Sequence, residues 1–185
     1  MIRVLLALAL VPLTAVPAAA APAKCPAGLW KMSGYQAKGV SSVYDTALTS
    51  KGGAGARLKI AGSVFTWDFK SAAKIVTSGR TNGVKISESA LYRRVLRHKV
   101  MAKSGKFTTK RGSATGTALV KTVTTRPEKA KRLQKVAPLV RNETATIIPT
   151  GKVAYACTAH GLHFRRTIKL DAHGGRDITD WWFTR

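Results

Sequence analysis

The chain has 185 residues, with 32 lysines and arginines against 8 aspartates and glutamates, and a formal charge of +24. That length suits one domain with a sizeable core. A charge this extreme says little about fold, but it directs attention to polyanions and anionic surfaces as partners.

The N-terminus reads as an export signal. Arg3 supplies a short positive region, Val4 to Val16 is apolar, and Ala18-Ala19-Ala20 offers a cleavage site. The apolar run falls short of the about 20 residues that a membrane span needs, and Pro12 and Pro17 interrupt it. The predicted organisation is therefore a signal peptide over 1–20 and one secreted domain over 21–185. No later stretch is long and apolar enough to span a bilayer, so no transmembrane segment is expected after signal removal. The two cysteines, Cys25 and Cys157, lack C-x-x-C spacing. In an exported chain they most simply form one disulfide rather than a metal site.

Along the mature chain, Leu29 to Ser33 reads as an opening strand. Ser50 to Gly55 (SKGGAG) reads as a flexible loop. Arg57 to Ala61 puts Leu58 and Ile60 on one face and Arg57 and Lys59 on the other. The turn at Gly62-Ser63 and the run Val64 to Phe69, with Phe65, Trp67 and Phe69 on one face, complete a predicted β-hairpin. Lys74 to Ser78 fits a further strand, and Leu91 to Met101 fits helix and strand equally. Ala114 to Thr125 is rich in Thr and Val and reads as a strand. Arg126-Pro127-Glu128 looks like a helix start, and Ala130, Leu133 and Ala137 follow at helical spacing, predicting a short basic helix over 126–136. Strands are then expected through Val153, Tyr155 and Cys157, over Leu162 to Leu170, and over Asp177 to Thr184. Short strands between Gly-rich turns predict a mainly β fold, an antiparallel sandwich or barrel.

Gly28 and Trp30, Gly52-Gly53-Ala54-Gly55 with Leu58, Tyr155 and Cys157, and Trp181-Trp182-Phe183-Thr184-Arg185 form an ordered set of motifs. With them the chain resembles small secreted actinobacterial lipocalin-like proteins of poorly defined function. The resemblance implies a lipocalin-like or calycin-like antiparallel β-barrel in which Trp30 packs beneath Arg185. A guanidinium over an indole is worth about 0.5–2 kcal/mol. Within such a barrel, Phe65, Trp67, Tyr155, Phe164 and Trp182 are the candidates to point inward. The resemblance is weakest over the middle of the chain, residues 84–141.

That middle carries the charge. Between positions 93 and 141 there are fifteen lysines and arginines and one acid, Glu128. The anion-binding candidates are Arg93, Arg94, Arg97, Lys99, Lys103, Lys106, Lys110, Arg111, Lys129, Lys131, Arg132 and Lys135. They form either a solvated face or a surface for an anionic cell-wall polymer, glycan or lipid headgroup. Phe107 is the sole aromatic in that window, and stacking platforms for bases need several, which disfavours sequence-specific nucleic-acid binding.

Catalytic constellations are missing. There is no G-x-S-x-G elbow and no H-E-x-x-H. Gly52-Gly53-Ala54-Gly55 is not followed by G-K-[ST], so no phosphate cradle or cofactor site is predicted. Asp68 and Asp180 could be drawn as a hydrolytic carboxylate pair, and His160, His163 and His173 as zinc ligands if two loops converged. A meander places such loops at opposite ends of a strand, so no metal is expected. The leading expectation is a noncatalytic, secreted, cationic binding protein of the cell envelope. The alternatives are a carrier of a small apolar ligand inside the barrel, and a secreted hydrolase.

Overall fold

A computed structural model describes residues 27–185. The expected export signal and Cys25 lie outside these residues. In chain order the strands are β1 (Gly28–Ser41), β2 (Thr46–Gly52), β3 (Arg57–Ala61), β4 (Val64–Asp68), β5 (Ile75–Thr81), β6 (Val84–Arg93), β7 (Val95–Lys103), β8 (Lys106–Thr109), β9 (Thr115–Gly116), β10 (Leu119–Arg126), β11 (Ala130–Lys135), β12 (Lys152–Cys157), β13 (Gly161–Lys169) and β14 (Arg176–Thr184). A helix, α1, spans Val136–Arg141.

β1 organises the molecule. Its first half alternates, with Trp30 and Met32 buried and Leu29 and Lys31 exposed. Between Met32 and Gly34 the register against β14 shifts. Such a bulge inserts one unpaired residue and reverses which parity faces inward. Tyr35, Gly39 and Ser41 are the buried residues beyond it. The strand also changes partner here. Residues 28–31 pair with β3, and residues 35–41 pair with β2.

The first half of β1 belongs to a closed barrel. Strands β1, β3, β4, β7, β8, β12, β13 and β14 pair antiparallel in that order, and β14 returns to β1. This is an eight-stranded, lipocalin-like, up-and-down barrel, and closure removes the exposed strand edges that invite aggregation. The 57–68 hairpin forms with the predicted faces: Leu58, Ile60, Phe65 and Trp67 are buried. The interior is filled by interlocking rings. Phe107 meets Phe65 at 5.2 Å and Phe164 at 4.9 Å, and Phe183 meets Phe164 at 5.2 Å and Trp67 at 5.9 Å. Tyr155 packs at the margin of this cluster, 6.3 Å from Phe107. At one end, the Arg185 guanidinium lies 4.8 Å over the Trp30 ring.

The second half of β1 starts a flared, open sheet in the order β1, β2, β5, β6, β10, β11. β6 passes into β7 through Arg94, whose φ of 68° turns the chain sharply from this sheet into the barrel. The segment 136–150 straps across the concave side. Val136, Val140, Ala145, Ile147 and Ile148 are buried there. Trp181 Nε1 donates to the Ile147 carbonyl at 2.6 Å, and Thr109 Oγ1 donates to the Pro149 carbonyl at 2.9 Å.

Three expectations are corrected. The stretch 126–136 is not a helix: it holds the turn after β10 and the strand β11, which pairs with β10 from Leu119↔Lys135 to Thr124↔Ala130. Its apolar positions are too few to bury a helical face, with Leu133 68 % exposed, and the Val/Thr-rich β10 offers a ladder instead. The helix begins where that ladder ends. Trp182 is not inside the barrel. It is 38 % exposed, whereas its neighbours Trp181 and Phe183 are buried. Strand parity admits only one of two adjacent tryptophans to the core. Finally, Gly52 to Gly55 is a tight crossing rather than a flexible loop. Gly55 N–H donates to the Met32 carbonyl at 2.9 Å, and Met32 N–H donates to the Ala56 carbonyl at 2.7 Å. Gly55 has φ +87°, and a Cβ there would stand 2.3 Å from the Ser71 carbonyl oxygen, so only glycine fits.

Candidate functional site

The outer wall of the barrel is built by alternation. On β3, β4, β7 and β8 the inward residues are mostly apolar or aromatic, which forces every second residue into solvent. Those outward positions are Arg57 and Lys59, then Thr66 and Asp68, then Arg97, Lys99, Met101 and Lys103, then Lys106 and Thr108. The register sets them side by side. One row runs Leu29, Lys59, Thr66, Arg97, Thr115 across β1, β3, β4, β7 and β9. Another runs Lys103, Lys106, Ala154, Arg165 across β7, β8, β12 and β13. Lys31 adjoins Arg57, and Lys152 adjoins Thr108.

Strands lie about 4.8 Å apart, so Lys59 and Arg97 sit about 10 Å from one another in the sheet. At that separation two like charges repel by about 0.4 kcal/mol in water, before salt screening. Each pair is weak, and the effect comes from the number of cations. Among the described residues, no ion pair engages Arg97, Lys99, Lys103 or Lys106. The nearest acid along these strands is Asp68, opposite Arg57, and one of its oxygens accepts the Lys70 N–H at 2.9 Å.

The twelve anion-binding candidates do not form one face. Arg97, Lys99, Lys103, Lys106 and Lys110 stand on or beside the barrel wall. Lys129, Lys131 and Lys135 lie on the β10–β11 hairpin of the flared sheet. Arg132, on the same hairpin, lines a concave pocket together with Glu88, away from the wall. Arg94 occupies the β6–β7 corner. The Arg93 guanidinium donates to the carbonyls of Ala72 (3.1 Å) and Tyr92 (2.9 Å), so its role is to hold that corner. Arg111 Nε is 2.7 Å from Glu143 Oε1 and is thereby partly neutralised. Conversely, Lys31, Arg57, Lys59 and Lys152 join the wall although they fall outside the 93–141 run. The alternation of Arg57-Leu58-Lys59-Ile60 marks two of them as outward facing, but only pairing reveals their neighbours.

Beyond the wall, β13 and β14 carry a compact polar cluster. Asp180 accepts from Arg165 Nε at 2.8 Å and from Arg165 Nη2 at 3.1 Å, and its Oδ1 is 2.7 Å from His163 Nε2. Burial opposes ionisation of Asp180, but the Arg165 and His163 contacts outweigh it and hold the carboxyl below its usual range. The His163 ring stacks on Trp182 at 5.5 Å. This cluster closes the surface over β13 and β14. Asp68 takes no part in it, because β3 and β1 stand between β4 and β14. His163 and His173 sit at opposite ends of β13, so the three histidines are not gathered. Among the described residues no group of three or more His, Cys, Asp or Glu is placed to hold a metal ion, and no helix is long and apolar enough to cross a membrane.

Cys157 ends β12, opposite Leu162, and Leu162 pairs with Phe183 next to Met32. This places Cys157 at the same end of the barrel as the start of β1. No family model matches the chain, and no match is found among the curated proteins or among the solved structures.

Proposed function

We propose that this is a secreted, noncatalytic cationic protein that binds anionic polymers of the cell envelope on the outer wall of its barrel. The observation that carries this reading is the cross-strand arrangement of Lys59, Arg97, Lys99, Lys103 and Lys106, brought together by four strands and without carboxylate partners among the described residues. Phosphate-bearing wall polymers, acidic glycans and anionic headgroups all offer repeated negative charge. Binding of this kind is electrostatic and salt-sensitive. Secretion and a Cys25–Cys157 bridge belong to the same reading. They are supported by the N-terminal sequence and by the position of Cys157 at the end of the barrel where β1 starts. A carrier role inside the barrel is disfavoured by the filled aromatic interior.

Heparin chromatography tests the wall directly. The protein is expected to elute well above about 0.2 M salt, since multi-contact electrostatic complexes survive to higher ionic strength. Reversing Lys59, Arg97, Lys99 and Lys106 to Glu should shift elution to markedly lower salt. Reversing three hairpin cations (Lys129, Lys131 and Lys135) should shift it less per charge. Equal shifts per charge would show that the attraction is spread over the whole surface and would remove the wall as a site.

A further inference from the structure

The flared sheet and its strap enclose a second site with different chemistry from the wall. A pocket of about 430 Å³ lies between β1, β2, β13, β14 and the strap. It falls at the lower end of the ~300–1,000 Å³ range of small-molecule sites. Tyr35, on β1 just beyond the bulge, is 4 % exposed and lines it. Its hydroxyl can both donate and accept a hydrogen bond at the pocket wall. Arg166 enters from β13. Its Nη1 donates to Thr150 Oγ1 at 3.0 Å, but its buried Nε has no partner among the described residues. A buried donor left unsatisfied costs about 1–3 kcal/mol, so Arg166 Nε calls for an acceptor there, and the Tyr35 hydroxyl adds a second donor to the same pocket.

Acceptors face these donors. Asp177 Oδ1 takes the Thr179 hydroxyl at 2.9 Å and lies 3.9 Å from Arg166 Nη2. The other oxygen, Oδ2, is directed at Gly39, where a Cβ would stand 3.6 Å away. The Thr46 and Thr81 hydroxyls, paired at 2.8 Å, retain further hydrogen-bonding capacity. Tyr44, half exposed at the rim, offers a flat apolar face. Asp177 offsets the charge of Arg166, so the pocket does not share the cationic character of the wall. Its chemistry is that of mixed donors and acceptors beside two tyrosine rings and an apolar wall from Ala37, Leu48 and Leu170. We infer that this pocket binds a neutral, polyhydroxylated ligand, a mono- or disaccharide unit, through Tyr35, Arg166 and Asp177. This site does not depend on the polyanion reading of the wall.

Saturation-transfer NMR on the mature protein tests the inference, with maltose, cellobiose and chitobiose as neutral probes and glucuronate as a charged one. At least one neutral disaccharide should show saturation transfer, with a Kd around 1 mM or tighter. Tyr35→Phe should weaken that binding by about 2- to 10-fold, the equivalent of one lost hydrogen bond, with the melting temperature monitored alongside. Asp177→Asn should weaken it independently, whereas Lys59→Glu should leave it unchanged while lowering heparin retention. Absence of transfer to every neutral probe at about 10 mM would mean that the pocket holds water only, and would overturn the proposal. So would tighter binding of glucuronate, or wild-type affinity in both the Tyr35 and Asp177 variants.

Discussion

His98 shows how far a single residue can depart from its ordinary chemistry in this barrel. It alternates with Leu96 and Val100 on β7 and is 1 % exposed. Trp67 Nε1 donates to His98 Nε2 at 3.0 Å, and the Phe65 ring stands 5.6 Å away. Burial among such neighbours disfavours the imidazolium and pushes the pKa down to about 4. Because the folded value lies below the unfolded value of about 6.5, the unfolded chain binds the proton first as pH falls. The stability contributed by neutral His98 is therefore complete above about pH 6.5, declines as the pH falls toward 4, and is lost by then. The loss is about 3–4 kcal/mol at most, since each tenfold drop in proton affinity is worth about 1.4 kcal/mol. Urea midpoints for the wild type should fall across this window, and His98→Gln should flatten that dependence; parallel profiles for the two proteins would contradict the assignment. Asp180 does not account for the same window. Its carboxyl is held below its usual range, so its contribution disappears only at lower pH.

Among the elements, the strap 136–150 joins the two halves of the fold. Its attachment is mainly apolar: Ile147 and Ile148 are fully buried. Its ion pair, Glu143 with Arg111, is largely exposed, the two side chains retaining 32 % and 68 % of their accessible surface. Deleting buried methyl groups costs about 2–5 kcal/mol, whereas an exposed pair contributes about 0–1 kcal/mol. Ile147→Ala should therefore lower the urea midpoint substantially, and Arg111→Ala should barely move it. The opposite ranking would mean that surface charge, not packing, holds the strap. The same contrast explains why the strap is illegible in the sequence. Ala145-Thr146-Ile147-Ile148 has neither helical nor alternating periodicity, and its burial comes from a sheet whose strands are remote along the chain.

At the level of the whole molecule, the contact that caps the barrel and the one described cysteine lie at the same end. There β1 begins, β12 ends at Cys157, and Arg185 lies over Trp30. A Cys25–Cys157 bridge would close a loop of more than a hundred residues, for which the chain-entropy model gives about 4–5 kcal/mol. Without reduction, neither cysteine should react with a thiol-alkylating reagent in urea, as read by intact mass. Reduction should lower the unfolding midpoint by an amount in the range of a few kcal/mol. Labelling of the unreduced, unfolded protein would rule the bridge out.

The sequence alone carried the features that repeat locally. Alternation in Arg57 to Phe69 defined a hairpin and its buried face, because side chains alternate every residue wherever one face is apolar. Gly28, Trp30 and Arg185, taken as a resemblance, pointed to the barrel and to the indole–guanidinium contact. The density of cations between 93 and 141 was equally plain. Tertiary structure decided the rest through pairing. The choice between Trp181 and Trp182 depends on a strand parity that both orientations satisfy locally. The 126–136 stretch became a strand because β10 was available as a partner, which no property of that stretch records. The cationic run divided between wall and hairpin, and gained Lys31, Arg57, Lys59 and Lys152, because backbone hydrogen bonding places residues from distant parts of the chain side by side. The Tyr35 pocket required a bulge, an open sheet and a strap together, and only their meeting in space creates it.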